Sequence, residues 1–98
     1  MLTSVLDQGL SLQDAVEAPR WFSFPGTDPA NLDQPATVRV ESRVPEASRA
    51  ELARRGHAVE TLGPWAGGGA VQLVEIDRER GVLRGASDPR PGGLALGL

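Results

Sequence analysis

The chain has 98 residues, 40% of them apolar, with 12 glycines and a net charge of −3. That is room for one domain or a piece of one, with an ordinary globular composition that argues against disorder over most of its length. It has no cysteine and one histidine, and all ten cations are arginines scattered through an acidic chain, which excludes disulfides, thiolate or multi-histidine metal sites and the basic face that nucleic acid requires.

No apolar run is long enough to span a membrane, and nothing in the sequence calls for a cofactor or a metal. The first residues, Met1, Leu2, Val5 and Leu6, are spaced for one face of a helix over 1–8, with Gly9 where a left-handed cap belongs. This helix has no N-cap and no leading turn. It reads either as an interrupted element or as a terminal helix that frays. The opening residues do not match a signal peptide, and the compartment stays open.

Ser11 and Asp14 have the spacing of a capping pattern, with Leu10 and Ala15 placed as a hydrophobic staple. Leu12, Ala15 and Val16 form the apolar stripe of the helix that follows, and Pro19 ends it by driving Ala18 out of the helical region. Arg20, Trp21 and Phe22 continue as extended chain. Residues 23–36, rich in Pro, Gly, Asp and Asn, read as an irregular loop.

Thr37 to Ser42 alternates, with Val38 and Val40 on one face and Arg39 and Glu41 on the other, as in a half-buried strand. Pro45 opens a helix running to Arg55, with Ala47, Ala50, Leu52 and Ala53 as its packing surface and a Glu51–Arg55 pair. Gly56 caps it. His57 to Leu62 is a candidate strand, and residues 63–69 a flexible connector around Trp65. Ala70 to Asp77 and Val82 to Ala86 read as two strands of an antiparallel hairpin closed at Gly81. Residues 87–93 form a turn, and 94–98 a short apolar tail.

Candidate chemistry is sparse. His57 directly follows Gly56 past a helix C-terminus, and because a catalytic base needs both a nucleophile and an orienting partner, it reads as a capping or surface residue. Ser87 and Asp88 could suggest a hydrolase pair, but adjacent residues rarely converge, and Asp-Pro is first a turn former. Gly67-Gly68-Gly69 lacks the Lys-Ser/Thr partner of a phosphate loop and precedes a strand. Asp14 and Glu17 read as a solvated helix face. Arg20 and Arg90 each follow a proline, in Ala18-Pro19-Arg20 and Asp88-Pro89-Arg90, so each guanidinium is presented from a stiff turn. They are either exposed or buried clamps on carbonyls and carboxylates.

These residues resemble the γ-glutamyltranspeptidase family. Ser11 to Trp21 resembles its helix ending in A-P-R, Val38-Arg39-Val40-Glu41 its strand, Arg55-Gly56-His57-Ala58-Val59 its G-H turn and Val71-Gln72 its later strand. Gly85-Ala86-Ser87-Asp88-Pro89-Arg90, with Gly92 and Gly93, resembles its C-terminal signature. The motifs occur in family order over essentially the whole chain.

The resemblance implies an α+β fold, the C-terminal portion of the αββα sandwich of an N-terminal-nucleophile hydrolase. The strands should be mostly antiparallel, three or four in number, with two to three helices, and residues 1–98 should make a single partial domain. It implies a parent enzyme that transfers or hydrolyses γ-glutamyl groups through a threonine acyl-enzyme, with the nucleophile and the oxyanion glycines outside this chain. No catalytic or substrate-binding residue is then expected here, and the chain alone should be inactive. Arg20, Asp88 and Arg90 become structural or maturation-linked residues. The expected partners are the remainder of the large and small subunits, with self-association as a further one. The alternative is a free-standing, non-catalytic binding or oligomerisation module. The Pro-rich loop 23–36 is longer than in glutathione-type members and points to a branch with another acyl substrate, such as a cephalosporin-acylase-like one.

Overall fold

The computed structural model describes residues 1–97, so Leu98 of the expected tail lies outside the described residues. The described residues form three α-helices and five strands in two sheets. Their contacts gather into two compact units, one from Met1–Ala18 with the segment from Gly68 onward, the other from Pro19–Gly67.

In the first unit, α1 (Leu2–Leu6) is shorter than expected. Gly9 takes φ +68°, and the Leu10 N–H is donated back to the Ser4 carbonyl at 3.0 Å, so the cap forms where the glycine permits it. α2 (Leu12–Glu17) starts as the capping pattern requires, with the Asp14 N–H donated to Ser11 Oγ at 3.1 Å. Pro19 forces Ala18 to ψ 140° and ends the helix. Strands β4 (Gln72–Asp77) and β5 (Val82–Ser87) pair antiparallel from Gln72↔Ser87 to Asp77↔Val82. Asp77 sets the turn, accepting the Arg80 N–H and an Arg84 guanidinium N–H.

Ala15 and Val16 of α2 and Ala86 of β5 are buried and form the core of this unit. The α2 stripe is therefore covered within the chain. α1 is not: Leu2 and Leu6 stand exposed. A second bare surface lies on the hairpin. Val74, Ile76 and Leu83 share the outer face of the hairpin and are 71%, 62% and 71% exposed. Contiguous apolar surface of this kind drives association. The isolated chain is expected to self-associate, and sedimentation velocity checks it; a monodisperse monomer across the concentration range would contradict it.

In the second unit, β1 (Trp21–Phe24) pairs antiparallel with β2 (Thr37–Glu41), in register from Trp21↔Val40 to Phe24↔Thr37. The expected loop over 23–36 thus gives its first two residues to a strand. It also contains a 3₁₀ turn at Pro29–Asn31, capped by Asp28, whose carboxylate accepts the Ala30 N–H.

β2 pairs with β3 (Val59–Leu62) in parallel, so the order is β1-β2-β3. Parallel neighbours need a crossover, which α3 (Glu46–Arg54) supplies. Gly56 at φ +95° ends α3, with its N–H donated to Ala53 O and the His57 N–H to Leu52 O, a Schellman cap.

One expectation is corrected. Ala47, Ala50 and Ala53 are exposed, and α3 buries no residue. The helix is tethered by polar bonds instead: the Arg49 guanidinium reaches Val44 O and Thr61 Oγ1 on β3.

The three α-helices, two sheets and two antiparallel strand pairings out of three match the expected mostly antiparallel α+β class.

Candidate functional site: two buried carboxylate clamps

Asp88 and Arg90 meet in the first unit. The Asp88 side chain is 0% exposed and that of Arg90 3%. Asp88 Oδ1 accepts the Arg90 backbone N–H at 3.1 Å, closing an Asx turn over Pro89, and also Arg90 Nη1 at 3.0 Å. The guanidinium then spans the end of α2. Nη1 donates to Val16 O at 3.1 Å and Nη2 to Ala18 O at 3.0 Å.

These are carbonyls that a helix leaves without an internal partner at its C-terminus, where a cation is also favoured by the dipole. Because the helix stops at Pro19, the N–H groups of residues 20 and 22 that a continuing helix would have turned to these carbonyls are not there, and Arg90 takes their place. Of the two readings of Arg90 open in the sequence, the geometry matches the buried clamp.

Ser87, next to Asp88, points elsewhere. Its Oγ accepts Gln72 Nε2 at 2.8 Å across the hairpin, and its carbonyl accepts Gln13 Nε2 from α2. Ser87 and Asp88 are thus used separately, and no nucleophile–base pair forms between them.

Arg20 lies in the second unit, where its main chain is held by Glu41, a residue whose place in the strand alternation is on the polar side. Glu41, the last residue of β2, is fully buried. Its Oε2 accepts the Arg20 N–H at 3.0 Å and Arg43 Nη2 at 2.9 Å, and its Oε1 accepts the Gly67 N–H at 2.9 Å. The Glu41 N–H is itself donated to Arg20 O at 2.9 Å. Arg43 is further fixed by Pro64 O, which accepts from Nε, and by the Trp65 ring, 3.5 Å from its guanidinium carbon. The glycine run 67–69 therefore has one of its N–H groups on a carboxylate of the protein itself.

Strand alternation gave no reason to bury Glu41, which shares its face with the half-buried Arg39. The family-like strand motif, ending on this glutamate, was the only signal.

The remaining candidates are peripheral. His57 is exposed and enters only through its backbone at the α3 cap. Asp14 accepts from Ser11 Oγ, and Glu17 from Gln13 Nε2. On the surface of α3, Arg54 and then Arg55 hold the Glu51 carboxyl below its ordinary range, and Glu51 raises Arg54 in turn. Among the described residues no cluster of His, Cys, Asp and Glu could hold a metal ion, and no helix is long and apolar enough to cross a membrane.

The model of one family, gamma-glutamyltranspeptidase, matches residues 1–98. The chain belongs to the γ-glutamyltranspeptidase family. It is 33% identical over its whole length to the glutathione hydrolase-like YwrD proenzyme of Bacillus subtilis (strain 168) and 31% identical over 99% of its length to the oxamate amidohydrolase proenzyme of Klebsiella pneumoniae. It spans 18% of the length of each. Among solved structures, cephalosporin acylase from Bacillus halodurans superposes with a TM-score of 0.70 at 30% identity, over 91% of this chain and 15% of that one. In these three relatives the matched segment is a small part of a much longer chain.

Proposed function

We propose that residues 1–98 are one partial domain, the C-terminal segment of the small subunit of a γ-glutamyltranspeptidase-like enzyme. The carrying observation is the pairing of a family match over the whole chain with coverage of under a fifth of relatives named as proenzymes. The parent chemistry in this reading is attack of a threonine hydroxyl on an amide carbonyl, with the threonine's own amine as general base. The bond to the leaving amine breaks, an ester acyl-enzyme forms, and an amine or water takes the acyl group.

The threonine and its oxyanion donors belong to the rest of the protein, which is the partner of this segment. Arg20, Asp88 and Arg90 act in folding and maturation of the precursor. The relatives that share this segment bear the names of a glutathione hydrolase-like protein, an oxamate amidohydrolase and a cephalosporin acylase. The segment is therefore common to enzymes named for different acyl substrates, and in our reading it supports the site without choosing the acyl donor.

Two measurements test this. The purified 98-residue chain should show no turnover of a γ-glutamyl anilide, because acyl transfer without the nucleophile has no covalent step to enter. Mass spectrometry of the natural protein should find residues 1–98 inside a longer subunit that begins with threonine. Turnover that survives repurification, or a natural protein consisting of this chain alone, would count against the reading and favour the free-standing module.

A further inference from the structure

The Glu41 clamp is not accounted for by the proposed role of Arg20, Asp88 and Arg90. A buried carboxylate must be compensated, and Glu41 is compensated by three separate donors. One of them is the backbone N–H of Arg20. Glu41 grips that residue from both sides, accepting its N–H through the side chain and donating to its carbonyl through the main chain.

Gly67 closes the arrangement. A Cβ placed there would lie 2.7 Å from Glu41 Oε1 and 3.0 Å from Arg20 Cβ, so only glycine lets the 63–69 loop bring its N–H onto the carboxylate. Arg43, stacked on Trp65, covers the other oxygen.

We infer that Glu41, together with Gly67, is a positioning residue for Arg20: the buried carboxylate fixes the main chain from which the Arg20 guanidinium acts during maturation of the precursor. This rests on the maturation role proposed above for Arg20. An ionised carboxylate is acceptor-only on both oxygens. Volume alone would be met equally well by an amide, which would turn an NH₂ toward the Gly67 N–H or toward the donors of Arg20 and Arg43. Charge and acceptor count, not packing, are therefore what the site asks of residue 41.

The test uses the full precursor with Glu41→Gln, Gly67→Ala, Arg20→Lys, and Glu41→Gln combined with Arg20→Lys. Amide hydrogen exchange is read by mass spectrometry on peptides covering 20–24, 64–70 and 82–90, and self-cleavage is timed. Glu41→Gln and Gly67→Ala should speed exchange in the first two peptides and leave the third unchanged. Each should slow cleavage on the order of 10–100-fold, the range expected when a supporting group shifts a reacting constellation by about an ångström.

In the Arg20→Lys background, Glu41→Gln should add less than about twofold, because both changes act through one group. Losses that multiply in the double variant, exchange that rises throughout the fold, or normal cleavage in both single variants would overturn the inference. Should the unmutated precursor not cleave itself, the functional reading fails. Exchange then decides the positioning alone: a rise confined to 20–24 and 64–70 supports it, and unchanged exchange there refutes it.

Discussion

Arg90→Ala is expected to destabilise the segment by about 3–5 kcal/mol, the usual consequence of stripping one partner from a buried charge pair. The loss is large because three acceptors each lose a guanidinium donor together. Asp88 is fully enclosed, and Val16 O and Ala18 O lose the donor that replaced the missing helical ones.

Arg90→Lys keeps the charge, but a single ammonium cannot span both carbonyls as the planar fork does. About 1–3 kcal/mol of the loss should therefore remain, the range for leaving buried polar groups unsatisfied. In the parent precursor Arg90→Lys should reduce folding and self-cleavage while the KM of whatever matures stays near the unmutated value, since Arg90 ties the end of α2 to the turn at Asp88. The measurement is the extent of cleavage together with KM. Normal maturation with a greatly raised KM would show instead that Arg90 binds substrate.

The sequence made the local elements of this molecule legible and left its long-range closures obscure. The β4–β5 hairpin follows from alternation around Gly81, α2 from its capping serine and terminal proline, and the end of α3 from Gly56. Each is decided within a few residues. The pairing of β3 beside β2 is not, although a strand, a helix and a strand in succession are what a parallel crossover needs. Phe24 joined β1 because Thr37 lies opposite it and Arg39 sits over its ring, partners that lie more than ten residues away.

The candidate site divides in the same way. Arg90 was legible because Asp88 and Pro89 build its turn locally. Glu41 was not, because its burial depends on Gly67, 26 residues on. The bare alanines of α3 and the exposed Val74, Ile76 and Leu83 show the limit from the other side. Periodicity identifies an apolar face, but whether that face is covered depends on residues it does not contain.

Gly93→Ala carries the second large effect. Gly92 at φ +72° donates its N–H to Pro89 O at 3.0 Å, and the turn brings Gly93 back against the end of the hairpin. A Cβ on residue 93 would overlap Ser87 Oγ and lie 2.9 Å from Gln72 Nε2. Ser87 is 7% exposed and cannot move aside freely, so the added methyl should destabilise by about 1–3 kcal/mol, as other overpacked sites do.

The cause can be isolated with Ser87→Ala, which removes the oxygen. Alone, that change should destabilise by only about 0.5–1.5 kcal/mol, since the exposed Gln72 amide can turn to water when its acceptor is lost. Combined with Gly93→Ala it opens the space the methyl needs, and the double variant should be more stable than the sum of the two single losses by about 0.5–2 kcal/mol. Equilibrium denaturation of the four proteins gives that difference directly. Simple additivity would mean that the steric contact at Ser87 is not what requires glycine at 93. A positive coupling would tie the glycine to the same turn that directs Arg90 inward, because a chain held off Ser87 cannot close over Pro89 while Arg90 keeps its bonds to Val16 and Ala18.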